Sequence, residues 1–322
     1  MSTILAAALL LGCTARAAEP VLVELKTAAD HVKDKRWLFI DCRDREDYLA
    51  GHVPGAVSLE ARNCRLSVRF ETMPDDGAKT SGRPRSVAAL EKLLGAAGVS
   101  GDETVVIYAG AGGGQGPVVA GEAFWTLEWL GHPSVHLLNG GFEAWKAAGL
   151  PVETAAAARP AAAFHAKPDP KLLAVFDEVS SAAGGGPGQL LDSRSPEEYD
   201  GRWIRARRGG HIPRAVNVPF SITYDELGRF DLAKLKKLYG ALDPSKRTIA
   251  YCQYGFRSAL AYTEMRALGF SDVTNYLESW QEYAHRIDRP VENETWPELS
   301  GGGKVDPREI AKPAAASGKK DR

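Results

Sequence analysis

The residues best suited to chemistry lie in one short run, Tyr251-Cys252-Gln253-Tyr254-Gly255-Phe256-Arg257-Ser258. An apolar, β-branched stretch beginning at Thr248 leads into it, and helical spacing takes over at Ala259. A cysteine at a strand's end, heading a loop that finishes in arginine and opens a helix, is placed to be a thiolate. With Thr248 to Tyr251 as a buried strand and Ser258 to Leu268 as a helix, the intervening amides turn inward as a nest, and the helix N-terminus adds positive potential. A free cysteine has a pKa of about 8.5, and such a site lowers it toward neutrality. Arg257 is expected to hold a substrate oxyanion with its planar fork. Gln253, Tyr254, Gly255, Phe256 and Ser258 should complete the substrate-binding loop. The competing reading is a small buried apolar residue, which is how most free cysteines behave; the strand, arginine and helix around Cys252 weigh against it.

Loop length separates two chemistries. Cysteine phosphatases place five residues between cysteine and arginine, whereas Gln253 to Phe256 supply four. The shorter loop makes a tighter nest, better matched to one sulfur carried on the cysteine than to a phosphoryl group in transfer. The segment resembles the active-site loop of rhodanese-type sulfurtransferases, in which the cysteine carries a sulfane sulfur as a persulfide. Further residues carry the resemblance. Leu191 to Tyr199 (LDSRSPEEY) and Gly210 to Asn217 (GHIPRAVN) look like the two upstream rhodanese motifs, with Arg214 where the family has a glycine, and Tyr276 to Tyr283 (YLESWQEY) looks like the closing one.

The same series occurs earlier in the chain, which marks an internal duplication. Asp41 to Tyr48, Gly51 to Ala56 and Asn139 to Trp145 match the first, second and last motifs. Aligning Val105 to Tyr108 with Thr248 to Tyr251 puts Ala109 where Cys252 sits, so the first half lacks a nucleophile and should be catalytically silent. Gly110 to Gly116 in that half is a decoy for a dinucleotide loop: the third fingerprint glycine is Gln115, and no Lys-Ser/Thr pair follows. It reads instead as a remnant of the lost active loop, whose glycines let the backbone pass close to the other domain. The pocket is expected at the junction of the halves, with this segment nearby.

Positioning these motifs requires alternating elements. Leu38 to Ile40, Val105 to Tyr108, Val135 to Leu138, Gln189 to Leu191 and Thr248 to Tyr251 are short apolar runs typical of buried parallel strands. Helical patterns over Val87 to Ala97, Ala120 to Leu130, Leu232 to Tyr239 and Ala259 to Leu268 lie between them. The expected fold is α/β, two tandem rhodanese-like domains, each an open and mainly parallel sheet with helices on both faces. Ligands of such sheets bind at the carboxyl ends of the strands, where the Cys252 loop falls. The boundaries read as a leader over 1–18, an inactive domain over 19–153, an Ala/Pro-rich linker over 154–170, a catalytic domain over 171–298 and a disordered tail over 299–322.

Composition agrees. The chain has 322 residues, 44% hydrophobic and 25% charged, as in a soluble globular protein with two ordinary cores. A net charge of −1 argues against bulk attraction to nucleic acid. Arg202, Arg205, Arg207 and Arg208 form a local basic cluster, either a guide for an anionic substrate or acidic partner or simply a solvated loop. Asp192 and Arg194, echoed by Asp41 and Arg43, are expected to form a repeated internal network, because buried charges need partners. His211 could be imagined as a general base, but its duplicate His52 lies in the silent half, which favours a structural role for both.

Ile4 to Gly12 is apolar but too short to span a bilayer. Leu10 to Cys13 resembles a lipobox, which implies lipidation at Cys13; cleavage after Ala17 would instead release a soluble protein. Both routes lead to export, as a periplasmic or membrane-anchored protein of bacterial type, a reading preferred over a cytosolic amphipathic leader. Cys42 and Cys64 are read either as a disulfide or as two inert thiols. No Cys/His spacing resembles a zinc site, and no metal or cofactor is expected.

The resemblance implies that Cys252 takes a sulfane sulfur from an anionic donor such as thiosulfate and yields it to a thiophilic acceptor: cyanide, a cellular thiol or a protein. The family's vertebrate thiosulfate enzymes carry a basic residue after the cysteine and an arginine before the tyrosine of the first motif, where this chain has Gln253 and Glu198. Its mercaptopyruvate enzymes use a small uncharged loop, unlike Tyr254 and Phe256. A non-enzymatic anion-binding or sulfur-carrier module and a cysteine phosphatase are the alternatives.

Overall fold

The computed structural model describes residues 20–297, apart from 65–66, 73–78, 85, 112–114 and 158. The leader, the tail and the middle of the Gly110 to Gly116 segment lie outside the described residues. The first half contains β1 (Leu22–Val23), α1 (Leu25–His31), β2 (Trp37–Asp41), α2 (Arg45–Ala50), β3 (Val57–Ser58), α3 (Ala61–Cys64), β4 (Ser67–Thr72), β5 (Lys79–Pro84), α4 (Val87–Ala96), β6 (Thr104–Tyr108), α5 (Gly116–Trp129), β7 (Val135–Leu138) and α6 (Gly141–Ala147). The second contains α7 (Phe176–Ala183), β8 (Gln189–Asp192), α8 (Pro196–Tyr199), β9 (Gly209–His211), β10 (Val216–Asn217), α9 (Leu232–Leu238), β11 (Thr248–Tyr251), α10 (Phe256–Ala267), β12 (Val273–Asn275), α11 (Ser279–Tyr283) and β13 (Glu292–Thr295).

Each half forms one parallel sheet. The first has strand order β1-β7-β6-β2-β3, the second β10-β8-β11-β12. The fully buried runs Phe39-Ile40 and Leu190-Leu191 show why: strands covered by helices on both faces need apolar side chains on both. Among the described residues the second sheet has no full strand equivalent to β1; a single parallel bridge, Leu173 to Asn275, stands there. In the same way the β13–β9 pairing of Glu292 with His211 is echoed by an antiparallel bridge between His52 and Glu153.

The duplication extends to individual hydrogen bonds. Arg43 forks onto Asp41 and donates to the Gly51 carbonyl, while Arg194 does the same with Asp192 and the Gly210 carbonyl. Their guanidinium groups lie over Phe142 and Trp280, 3.7 and 4.5 Å from the ring centroids. Tyr108 and Tyr251 each accept a backbone N–H with the phenol oxygen, from Val53 and Ile212, both at 3.1 Å. Arg194 therefore has its carboxylate partner in Asp192, and both are buried.

The two halves pack through α5 and α10. Gly121 on α5 lies against Leu260, where an added Cβ would come within 2.7 Å of the Leu260 Cα. Only glycine permits that approach without moving α10. Tyr262 and Arg266 of α10 both reach Glu128 of α5, at 2.6 and 3.2 Å. Helix α5 is buried on nearly every face, as a helix apolar all round must be, and its Phe124 and Leu127 share one continuous core with Leu260 and Met265. Residues between the halves run over the first domain: Ala162, Lys167 and Asp169 donate their amides to carbonyls of Gly95, Leu130 and Trp129.

Cys42 and Cys64 form a disulfide, with Cα atoms 5.7 Å apart, so the alternative of two free thiols does not hold. It ties α3 to the end of β2, and a loop of this length contributes about 3 kcal/mol in the chain-entropy account. Among the described residues no helix is long and apolar enough to cross a membrane, and no cluster of His, Cys, Asp and Glu is arranged to hold a metal.

Candidate active site

Cys252 follows β11, and α10 begins four residues later at Phe256. The helix starts earlier than the sequence pattern suggests. Gly255 is the reason: at φ +85° it takes the left-handed turn that brings Phe256 and Arg257 into the first helical turn. A Cβ on Gly255 would lie 2.7 Å from the Leu277 carbonyl oxygen, so the position also excludes side chains on steric grounds. Asn275 holds the loop from behind by donating to the Gly255 carbonyl at 3.1 Å.

The thiol faces the mouth of the loop. Cys252 Sγ accepts the Gly255 amide at 3.1 Å and the Ser258 hydroxyl at 3.7 Å. Both donors stabilise negative charge on sulfur, and α10 begins beside it without a side-chain cap that would compete for its free amides. The cysteine backbone is held by the last motif: the Cys252 amide donates to Ser279 Oγ at 3.1 Å, and its carbonyl accepts from Trp280 at 3.0 Å. Ser279 adopts φ +54°, rare for a residue with a side chain, and so aims its hydroxyl at that amide.

Arg257 does not present a free fork to substrate, as its place in the loop suggests it should. Its terminal nitrogens donate to the two carboxylate oxygens of Glu198, at 2.6 and 3.0 Å. Glu198 is buried, at the third position of α8, where its carboxylate also accepts the Ser195 amide in a capping box. Burial alone would raise its pKa, but Arg257 and the Ser195 amide hold it below the ordinary carboxylate range. Burial opposes the charge on Arg257 too, yet its bonds to Glu198 keep its pKa above the usual value.

Of the two arginines lining the cavity beside Cys252, Arg205 is the one with donors to spare. It makes one 3.3 Å bond to Glu198, lies over the Trp203 ring at 4.9 Å, and is 36% exposed. The basic cluster thus divides. Arg202 pairs with Asp200 on the surface, and Arg208 is buried, donating to the carbonyls of Ala284, Arg286 and Arg289 and pairing with Glu294.

These groups line a cavity of about 410 Å³ whose walls are Ser195, Glu198, Trp203, Arg205, Phe220, the loop residues Cys252, Gln253, Tyr254, Phe256 and Arg257, and Gln115 and Val118 from the first half. The pocket lies at the junction, and the end of the Gly110 to Gly116 segment does reach it. Gln253 lines the cavity but turns its amide inward, donating to the Arg205 carbonyl at 3.1 Å and to Gln281 at 3.3 Å. His211 is elsewhere: its ring stacks on Tyr199 and its nitrogens bond the Tyr199 carbonyl and Glu292. His52 repeats the stacking on Tyr48.

The first half shows what becomes of such a loop without sulfur. Phe142 donates to the Ala109 carbonyl at 3.0 Å as Trp280 does to that of Cys252, which confirms the alignment. Glu143, at the position of Gln281, then bonds the Ala111 amide at 2.6 Å. A carboxylate of the protein itself occupies this turn.

Residue patterns had not singled out Asn275, Trp203, Phe220 or Val118. Gln115 was named only as the break in the glycine-rich segment, and Ser279 only within the closing motif, where it stands at the place of Gly141.

The rhodanese-like domain family matches residues 24–148 and 175–286. A Saccharopolyspora erythraea protein provisionally named thiosulfate sulfurtransferase is 36% identical over 290 residues, covering 85% of this chain and 97% of that one. The thiosulfate sulfurtransferase of Azotobacter vinelandii is 32% identical over 282 residues, with coverage of 85% and 97%. Among solved structures, the 3-mercaptopyruvate sulfurtransferase SseA of Escherichia coli superposes with a TM-score of 0.66 at 26% identity, covering 81% of this chain and 99% of its own.

Proposed function

The chain belongs to the rhodanese-like family and is a sulfurtransferase, and on that premise we propose that its second domain moves a sulfane sulfur through a persulfide on Cys252. The observation that carries the reading is the 3.1 Å contact of Sγ with the Gly255 amide, at the start of α10 and in the wall of the cavity. A donated amide and a helix N-terminus favour the thiolate, the nucleophilic form.

In the first step the Cys252 thiolate attacks the outer sulfur of an anionic sulfane donor. With thiosulfate, the sulfur–sulfur bond of the donor breaks, sulfite departs with the electron pair, and Cys252 carries the transferred sulfur. In the second step an acceptor attacks that outer sulfur; the Sγ–S bond breaks and Cys252 leaves as thiolate. Cyanide would become thiocyanate, and a thiol would become a persulfide. No external oxidant or reductant enters either step.

Charge is divided among three residues. Arg205, with unpaired donors at the cavity mouth, takes the donor's anionic group. Arg257, held by Glu198, contributes field without a direct fork, and the loop amides with Ser258 stabilise charge on the two sulfurs. Arg194, forked onto Asp192, lies over Trp280, whose amide holds the Cys252 carbonyl. Thiosulfate-type anions suit this arrangement, and the names of the relatives above favour them.

We also place the protein in an oxidising compartment outside the cytosol, periplasmic or anchored through lipid on Cys13. The Cys42–Cys64 disulfide supports export, since such bonds persist where thiols are not kept reduced. Globomycin-sensitive processing would indicate the lipid anchor, and a soluble periplasmic fraction the alternative.

The test of function is turnover of purified protein with thiosulfate and cyanide, followed as thiocyanate. Wild type should be active and Cys252→Ser inactive; equal rates in the two would overturn the reading.

A further inference from the structure

The cavity is much larger and more apolar than inorganic sulfur exchange requires. Thiosulfate and cyanide are small ions, and both could be served by the loop amides and one arginine. Yet about 410 Å³ lies open beside Cys252, walled by Val118, Trp203, Phe220, Tyr254 and Phe256. Trp203 is 54% exposed although it is among the largest apolar side chains. Arg205 covers one face of its ring, which leaves the other face to the pocket and solvent. Arg205 itself spends a single 3.3 Å bond on Glu198.

We propose that the second substrate is an organic thiol with a flat apolar body and an anionic group, the body packing on Trp203 and Phe220 and the anion forking onto Arg205. This rests on the sulfur-transfer reading and names the acceptor for the same site. The charges are complementary: of the two cations lining the cavity, Arg257 is taken up by Glu198 and lies over Phe220 at 5.4 Å, which leaves Arg205 for the anion and the exposed Trp203 ring, with the free side of Phe220, for the apolar body. Val118 brings the silent domain into acceptor selection, a role for that half which needs no cysteine. Once sulfur is bound to Cys252, a thiol entering along this wall attacks the outer sulfur; the Sγ–S bond breaks, the new S–S bond forms on the acceptor, and Cys252 regains its thiolate.

The test is single-turnover discharge. Wild-type protein is charged with thiosulfate, charging is verified by intact mass, and the excess donor is removed. The persulfide is then discharged with para-carboxybenzyl thiol, with mercaptopropionate and with uncharged benzyl thiol, each rate being normalised to that thiol's rate with a free small-molecule persulfide. One aromatic contact corresponds to as much as about tenfold, so carboxybenzyl thiol should exceed mercaptopropionate by roughly that factor. Trp203→Ala should collapse this ratio toward one, and Arg205→Gln should remove the advantage of carboxybenzyl over benzyl thiol. Trp203 is on an exposed loop, so its loss leaves the fold intact. Normalised rates that are equal in wild type, or a ratio unchanged by Trp203→Ala, overturn the proposal while leaving sulfur transfer standing. Failure of Cys252 to charge with any donor overturns both.

Discussion

Glu198 clasps Arg257 with both carboxylate oxygens, so the arginine of the active loop is neutralised by the motif that precedes it. The pair is buried on the Glu198 side and only slightly exposed at Arg257. Breaking such a pair from one end costs about 3–5 kcal/mol, because the remaining charge loses its partner. Glu198→Gln should therefore lower stability by a few kcal/mol at neutral pH, less if water reaches Arg257. It should also free the Arg257 fork and lower KM for the anionic donor. The folded-state pKa of Glu198 is depressed, so its contribution is present above the ordinary carboxylate range and lost as pH falls through the folded value. Chemical denaturation across acid pH should show a shallower loss of stability in the variant; identical slopes would count against the pair.

Ser279 and Gly141 occupy equivalent places, at φ +54° and +56°. Only Ser279 places a hydroxyl on a loop amide, that of Cys252, and it carries the backbone cost of doing so. Ser279→Gly should relax the backbone but leave the Cys252 amide unpaired, costing about 1–3 kcal/mol for the buried donor, partly offset by the relief of strain. The loop then loses the contact that fixes the Cys252 backbone, so kcat should fall and the pH–rate profile should change. A variant with an unchanged profile and unchanged kcat would show that Ser279 is ornamental to the loop.

Restoring the missing sulfur to the first half should not restore chemistry. In Ala109→Cys on a Cys252→Ser background, the new thiol would share its turn with Glu143, whose carboxylate already binds the Ala111 amide. Negative charge there opposes the thiolate. No sulfur should be gained from thiosulfate; adding Glu143→Gln, which mimics Gln281, is the change expected to permit some. Charging of the Ala109→Cys form with Glu143 intact would contradict this account of the silent domain.

Glu264, fully buried on α10 and bonded by the Tyr239 hydroxyl, has its pKa pushed up to about 7 by burial, with Thr223 and Tyr239 pulling it part of the way back. Because the folded pKa lies above the unfolded one, folding binds a proton, and stability falls as pH rises from the ordinary carboxylate value to about 7. Glu264→Gln should flatten that portion of the stability curve. Urea unfolding at intervals between about pH 5 and pH 8 measures it; a curve for the variant parallel to wild type would place the titration elsewhere.

The sheets and the duplication were legible because buried parallel strands are continuous apolar runs, and because two copies of each motif check one another. Aligning the strands Val105 to Tyr108 and Thr248 to Tyr251 put Ala109 opposite Cys252, and the matching bonds of Phe142 and Trp280 to those two carbonyls agree with it. The helix start was displaced because Gly255, in the left-handed region, lets the helix begin before its apolar spacing becomes visible. Arg257 was expected on the substrate because a loop arginine beside a thiolate suggests an anion ligand; its partner Glu198 lies 59 positions away, and that contact exists only after folding. The disulfide was undecidable for the same reason, since the separation of Cys42 and Cys64 depends on where α3 returns to β2. Trp203 and Phe220 lie in segments without periodicity, and nothing in their spacing marks them as one wall.

Intact mass of the purified protein, before and after thiosulfate and again after an acceptor, decides whether Cys252 carries the sulfur. Wild type should gain the mass of one sulfur atom, lose it on adding cyanide, and show the sulfur on the peptide containing Cys252; Cys252→Ser should gain none. A wild-type protein that turns over thiosulfate without carrying sulfur on Cys252, or a Cys252→Ser form that charges as wild type does, would contradict the persulfide account.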